Sequence, residues 1–152
     1  TKALTVSRTE INRAHREASR LNYANNPNIV KGYRRLAAKD ERTCMACISL
    51  DLKLYPTNEP LDAHPNCRCA MVPETLTYQD LGLDIPEPPP PESAQQWFQG
   101  QSPGVQAGMI KNKRILSAYQ DGRIDLGDMV QVTSNPVWGK SATVKSARAI
   151  GV

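Results

Sequence analysis

Two short stretches of the chain contain the residue types that bind zinc. Cys44-Met45-Ala46-Cys47 is a CxxC pair, and His64-Pro65-Asn66-Cys67-Arg68-Cys69 begins 17 positions after Cys47 as HxxCxC. Two ligands separated by two residues lie on one tight turn, so both side chains can face one ion, and two such turns complete a tetrahedral zinc site. The spacing therefore predicts a closed, structural zinc site with the ligands Cys44, Cys47, His64 and Cys67.

Cys69 is a fifth candidate for the four positions. It could replace His64 as a ligand, or it could be a buried thiol at the start of a strand, which is a common environment for cysteine. A disulfide within the CxxC pair is a further alternative. A redox-active CxxC has less support, because no βαβ pattern surrounds Cys44 and Cys47.

An enzymatic function is not expected from these residues. A catalytic zinc site needs an open coordination position and a carboxylate base. Glu59 and Asp62 are close to His64 in sequence, but the HxE…PCxxC order of zinc deaminases is absent. His15, the other histidine, lies beside Arg16 in a helical pattern and is expected at the surface.

The elements that must position the cluster are short. The 152 residues include 39% apolar residues, a low share that predicts a modest core in need of a metal staple. Residues 7–24 predict an amphipathic helix, capped by Ser7 or Thr9 and ended by Asn25-Asn26-Pro27. Strands are expected near residues 32–38, 53–55 and 69–72. The expected fold is α+β, with this helix on a small antiparallel sheet.

The predicted helix has two stripes at three- and four-residue spacing. The apolar stripe is expected to face the core, and it consists of Ile11, Ala14, Ala18 and Leu21. The basic stripe consists of Arg13, Arg16 and Arg20, with Glu17 placed to neutralise part of it.

The net charge of +4 is unevenly distributed. Residues 1–43 carry +6, residues 44–92 carry −6 and residues 93–152 carry +4. Such a split favours packing between segments, or a basic end that contacts nucleic acid. No apolar run is long enough for a membrane span. No signal peptide is apparent at the start, so a soluble intracellular setting is expected.

A proline-rich segment separates two parts of the chain. Residues 86–92 contain Pro86-Glu87-Pro88-Pro89-Pro90-Pro91 and predict a stiff spacer. It separates a module at residues 1–85 from an extension at residues 93–152, which is expected to be helical through residue 134. Within that extension, residues 126–130 predict a short helix and residues 135–139 a loop.

Three motifs together resemble the Mu F-like head-morphogenesis family of tailed-phage minor head proteins. They are Arg8-Thr9-Glu10 with Asn12, Asp40-Glu41-Arg42-Thr43 before Cys44, and the closing His64–Cys69 stretch. The resemblance covers roughly residues 7–73. The tail is also similar to an extension that many members carry, at Trp97-Phe98, Gln106, Asp121-Gly122-Arg123-Ile124 and Trp138-Gly139.

The resemblance implies a structural protein of a phage or prophage, present in few copies inside the virion head near the portal and assembled in the bacterial cytoplasm. The implied partners are portal and capsid or scaffold proteins, and packaged DNA is a candidate partner for Arg13, Arg16 and Arg20. The chain, which opens at Thr1 almost directly in a helix, is expected to be a piece of a longer protein. The alternatives are a zinc-stapled nucleic-acid-binding module and, with less support, a nuclease or toxin-type enzyme.

The chain departs from the family pattern at three places. Members usually have glycine at the position of Leu52, where residues 50–53 make a hairpin turn, and a Leu-Gly helix stop at Ile110-Lys111. Some members have arginine for Cys44 and histidine for Cys47. The hairpin turn of this chain is therefore expected to differ from that of the family, and strict dependence on Cys44 is not expected.

Overall fold

The computed structural model describes residues 1–136 and 139–152 and shows a mixed helix and sheet fold. The helices are α1 (Lys2–Ala24), α2 (Met45–Ser49), α3 (Ala94–Gln99), α4 (Pro103–Ile110), α5 (Lys113–Gln120) and α6 (Ala147–Ile150). The strands are β1 (Val30–Leu36), β2 (Leu54–Tyr55), β3 (Ala70–Thr75), β4 (Val130–Asn135) and β5 (Gly139–Val144). Among the described residues, no helix is long and apolar enough to cross a membrane.

The first three strands form the antiparallel sheet that the sequence predicts, in the order β2-β1-β3. Side chains alternate along β1, so that Tyr33 and Arg35 both point to the buried face. Tyr33 lies opposite Tyr55 on β2, and their rings stack with centroids 5.4 Å apart. Gly32 is required beside this pair, because a Cβ there would lie 2.7 Å from the Tyr55 carbonyl oxygen.

Helix α1 packs on this sheet, but with the face opposite to the one predicted. It begins at Lys2, earlier than a cap at Ser7 or Thr9 would allow, and ends at Asn25 as predicted. The stripe expected in the core is exposed: Ile11 is 67% and Leu21 50% exposed. The polar side contacts the module instead, because Tyr23 and Arg16 donate hydrogen bonds to backbone carbonyls there.

The hairpin between α2 and β2 contains the first departure from the family pattern. Leu52 has φ of +59°, in the left-handed region where glycine is usual. Its amide donates to the Arg35 carbonyl at 2.8 Å, so the turn holds β1 despite the strain. The turn therefore holds a leucine in a backbone conformation that favours glycine.

The tail begins with helices and ends in a hairpin. Helices α3, α4 and α5 lie in the extension predicted to be helical, and Ser93, Ser102 and Asn112 cap their N-termini. The short helix predicted at residues 126–130 is a turn, since the Asp125 carboxylate accepts from the amides of Gly127 and Asp128. Strands β4 and β5 then pair antiparallel, and α6 follows. The helical prediction through residue 134 is thus corrected at β4.

The two parts of the chain share a buried core. Residues 86–92 form no helix or strand, and Asp51 connects the regions on either side of them. Its carboxylate accepts from the amide of Ala37 at 2.6 Å and from that of Ala94 at 2.7 Å. Apolar residues from both parts pack in one cluster, including Ile48 and Phe98. Of the predicted loop at residues 135–139, Val137 and Trp138 lie outside the described residues.

The left-handed backbone at the end of α4 leads to a testable prediction. The residue there is Lys111, where the family pattern has glycine. Lys111 caps α4 with φ of +61°, the conformation in which glycine is favoured. Its side chain is exposed, so Lys111→Gly relieves strain without removing packing. We expect it to raise the free energy of unfolding by about 0.5–1 kcal/mol in urea titrations.

Lys113→Gly is the matched control, since Lys113 is also exposed but lies in α5 with a helical backbone. Glycine there should lower the free energy of unfolding by up to about 1 kcal/mol. Equal destabilisation by both substitutions would contradict the left-handed cap at Lys111.

Candidate metal centre

The first pair of predicted ligands lies at the start of α2. Cys44 is the N-cap residue with an extended backbone, and Cys47 lies in the first turn of the helix. The Cys47 amide donates to the Cys44 carbonyl at 2.9 Å, which closes the tight turn expected from the CxxC spacing. Cys47 is buried and Cys44 is partly buried.

The second group comes from the loop before β3. The Cys67 amide donates to the His64 carbonyl at 3.1 Å, and Asn66 in between has φ of +59°. Asparagine tolerates this left-handed conformation better than most residues, which suits the Pro-Asn pair to a tight turn. Cys67 and Cys69 both point inward and are buried.

The structure brings all five predicted candidates together as two overlapping groups that share Cys47. One group is Cys44, Cys47 and His64, and the other is Cys47, Cys67 and Cys69. Within each group the ligand atoms lie within 4.8 Å of one another, so both groups are placed to bind a metal ion. The sequence spacing therefore located the cluster correctly.

One distance in the cluster matches a tetrahedral zinc site, although Cys67 is not within 4.8 Å of both Cys44 and His64. The Cys47 and Cys67 sulfurs are 3.8 Å apart, and Zn–S bonds of about 2.3 Å give a sulfur–sulfur edge of about 3.8 Å. His64 Nε2 lies 3.1 Å from both the Cys44 and the Cys47 sulfur. This is shorter than the edge of about 3.5 Å expected between sulfur and nitrogen ligands.

The hydrogen bond of His64 selects the nitrogen that faces the cluster. Nδ1 lies 2.7 Å from the Pro65 carbonyl oxygen, which can only accept, so Nδ1 carries the proton. In the neutral ring the lone pair is then on Nε2, the atom that faces Cys44 and Cys47. Such a second hydrogen bond fixes ring orientation at many metal-binding histidines.

Within the cluster the pKa values of Cys44 and Cys67 are lowered and those of Cys47 and Cys69 are raised. Hydrogen bonding to Cys47, and next to His64, lowers the pKa of Cys44 to about 4. Contacts with Cys47 and Cys69, followed by the charge of Arg35, hold the pKa of Cys67 well below its ordinary value. The pKa of Cys47 is raised, because its thiol donates to these neighbours. Lowered thiol pKa values favour metal binding, since zinc binds the thiolate.

Arg35 is the residue that sequence reasoning missed. Its side chain is 0% exposed and donates to the sulfurs of Cys69 at 3.4 Å, Cys47 at 3.4 Å and Cys67 at 3.6 Å. Burial lowers its pKa, but the neighbouring sulfurs outweigh burial and raise it, so the guanidinium stays charged. The signal for this role was the alternation along β1, which places Arg35 on the buried face with Tyr33.

Asp62 balances Arg35 from the other side. Asp62 is 2% exposed, and its Oδ1 lies 2.7 Å from Arg35 Nη1 and accepts from the Tyr55 hydroxyl. Lys53 Nζ lies 3.4 Å from the other carboxylate oxygen. The carboxylate weighed as a possible catalytic base is therefore held by three side chains of the core.

A clasp of motif residues holds the two ligand turns together. The Asp40 carboxylate accepts hydrogen bonds from both terminal nitrogens of Arg68, at 2.7 and 2.6 Å. Arg68 also donates a hydrogen bond to the Thr43 hydroxyl. Thr43 in turn donates to the Ala38 carbonyl. Arg68 lies between Cys67 and Cys69, and Thr43 precedes Cys44, so the clasp sets the distance between the two turns.

Helix α1 holds the second ligand turn through backbone hydrogen bonds. Arg16 donates to the carbonyls of Cys67 at 2.6 Å and Cys69 at 3.0 Å, and Asn12 also donates to Cys67. The Thr9 hydroxyl accepts from the Asn66 amide at 3.1 Å. The polar residues of α1 therefore orient the loop that contains Cys67 and Cys69.

Comparisons with known proteins give no relative for this chain, since no family model, curated protein or solved structure matches it. The family resemblance therefore depends on the motif residues and on the contacts they make.

The docking of α1 predicts different effects for two arginines on the same helix. Arg16→Ala removes charge-assisted hydrogen bonds to two carbonyls of the ligand loop, and we expect it to lower the free energy of unfolding by about 2 kcal/mol. Arg13→Ala is the control, because Arg13 is exposed and its loss should change stability by no more than about 0.5 kcal/mol. Urea titrations of the metal-loaded protein measure both, and equal effects would contradict the docking.

Proposed function

We propose that the cluster binds one zinc ion as a structural staple, and that the chain is a minor head protein of a tailed phage or prophage. Its role would be structural, in head morphogenesis inside the capsid near the portal. Its partners would be portal and capsid or scaffold proteins. The contacts of the motif residues with the cluster carry this proposal.

The motifs of the resemblance meet at the cluster although they are distant in sequence. Asn12 comes from the first motif, Asp40 and Thr43 from the second, and Arg68 from the third. Each of them contacts a ligand turn or a residue next to one. A chance match of short motifs would not require them to meet in the fold, so their convergence supports the family assignment.

Charge balance supports three cysteines and one histidine as the zinc ligands. A zinc ion with three thiolates and a neutral imidazole carries one net negative charge. The two positive charges of Arg35 and Lys53 therefore equal the two negative charges, one on the zinc site and one on Asp62. Four thiolates would add a second negative charge in a buried site. This supports His64 and three cysteines over four cysteines, and the HxxC spacing favours Cys67 over Cys69 as the third cysteine.

The surroundings of the cluster support a structural role over a catalytic one. Four protein ligands leave zinc no open position for water or substrate. Asp62 is buried and bound to Arg35 and Tyr55, so its carboxylate has no access to a substrate. We therefore propose that the chain has no enzymatic activity.

Contact with packaged DNA has less support than the structural role. Arg16 donates to the ligand loop, and Arg20 donates to the Thr57 carbonyl and pairs with Glu17. Two of the three arginines in the predicted basic stripe thus have internal partners, which leaves Arg13 exposed for a phosphate contact.

The zinc staple predicts a fixed stoichiometry and a hierarchy among the cysteines. Protein purified without added metal should contain about one zinc per chain by elemental analysis. Cys44→Ser and Cys67→Ser each remove a ligand and should cost several kcal/mol of unfolding free energy. Cys69→Ser should cost less, because serine can still accept the hydrogen bond from Arg35.

Two results would contradict this assignment. The first is a melting temperature that a strong chelator leaves unchanged, which would show that metal does not stabilise the fold. The second is a loss of stability in Cys69→Ser as large as in Cys67→Ser, which would make Cys69 a ligand.

The proposed placement predicts that the chain is a minor component of purified phage heads. Quantitative mass spectrometry of particles from the source phage should find it in far fewer copies than the capsid protein. Heads that form normally without a trace of the chain, while it accumulates free in the lysate, would contradict a role in the head.

A further inference from the structure

The apolar side of α1 has no partner among the described residues. Ile11, the most exposed of its large apolar residues, and Leu4 and Leu21 project away from the sheet. The residues that dock α1 on the module, such as Asn12 and Arg16, lie on the opposite side. A 23-residue helix is about 35 Å long, so the exposed side is a long surface.

This surface has the spacing of a coiled-coil seam. Its residues recur at alternating intervals of three and four over three heptads, with every member exposed: Leu4, Ser7, Ile11, Ala14, Ala18 and Leu21. We name these six residues the α1 seam. In heptad terms Leu4, Ile11 and Ala18 take position a, and Ser7, Ala14 and Leu21 take position d. A stripe that faces a curved core is usually wider than this two-in-seven pattern.

The charges beside the α1 seam favour a second copy of the same helix in parallel orientation. One flank, at position e, carries Arg8 and His15, and the other flank, at position g, carries Glu10 and Glu17. In a parallel pair each g residue faces the e residue five positions further along the partner, so Glu10 of each helix faces His15 of the other. An antiparallel pair would place glutamates opposite glutamates.

We propose that the α1 seam is a homodimerisation surface, on which α1 of a second copy packs in parallel as a two-helix coiled coil. The small residues Ser7, Ala14 and Ala18 allow the two backbones to approach closely. Because each module lies on the far side of its own helix, the two modules do not compete for the seam. The pairing is independent of the metal ligands.

Sedimentation equilibrium of the zinc-loaded protein tests the proposal over about 5–500 µM, where a weak dimer shows a concentration-dependent mass. Ile11→Glu places two carboxylates in the seam and should weaken association at least about tenfold. Val6→Glu is the control, because Val6 is equally exposed on α1 but lies outside the seam. Both variants should keep the wild-type melting temperature at low concentration, since neither side chain packs in the monomer.

The orientation has its own test in Glu10→Lys. In a parallel pair this substitution replaces the carboxylate opposite His15 with an ammonium group and weakens association. Stronger association would indicate antiparallel helices and overturn the parallel arrangement. A monomer throughout the concentration range, or equal weakening by Ile11→Glu and Val6→Glu, would overturn the homodimer and leave the seam as a surface for another protein.

Discussion

Burial of three cysteine sulfurs beside one guanidinium is the constraint on which the first half of the chain depends. Arg35 contacts three of the sulfurs and the Asp62 carboxylate from a core position of β1. A charged side chain at that position is costly unless it is fully paired. The cluster and Asp62 supply the pairing, and Tyr55 and Lys53 complete it. The sheet, the CxxC turn and the loop before β3 are therefore held in one arrangement by charge as much as by apolar packing.

This constraint explains the use of polar residues outside the cluster. The second ligand turn has no helix or strand of its own, so its carbonyls need donors from elsewhere. Asn12 and Arg16 provide them, and the Asp40–Arg68 clasp fixes the turn to the segment before Cys44. Because α1 docks through its polar side, its apolar stripe faces outward. The same docking that orients the ligands thus creates the proposed dimer surface.

Local patterns were sufficient for the Cys/His cluster and the first sheet, and insufficient where a distant partner decides. Cys44, Cys47, His64, Cys67 and Cys69 were placed together from spacing alone, and the three strands followed from alternation and turns. The buried face of α1 was predicted wrongly, because no local pattern shows that Arg16 will find the carbonyls of Cys67 and Cys69, more than 50 positions away. Alternation along β1 places Arg35 on the buried face with Tyr33, but it does not show that the cysteine sulfurs and Asp62 lie there. At residues 126–130, capping by Asp125 outweighs a weak helical pattern.

X-ray absorption at the zinc edge, measured on protein purified without added metal, tests whether the Cys/His cluster is a closed zinc site. It counts the atoms around the metal and measures their distances. A structural site of three cysteines and His64 predicts a closed shell of about three sulfurs near 2.3 Å and about one nitrogen near 2.0 Å, with no water ligand. A shell of four sulfurs would exclude His64, a shell with an oxygen would indicate an open catalytic position, and protein without zinc would contradict the staple itself.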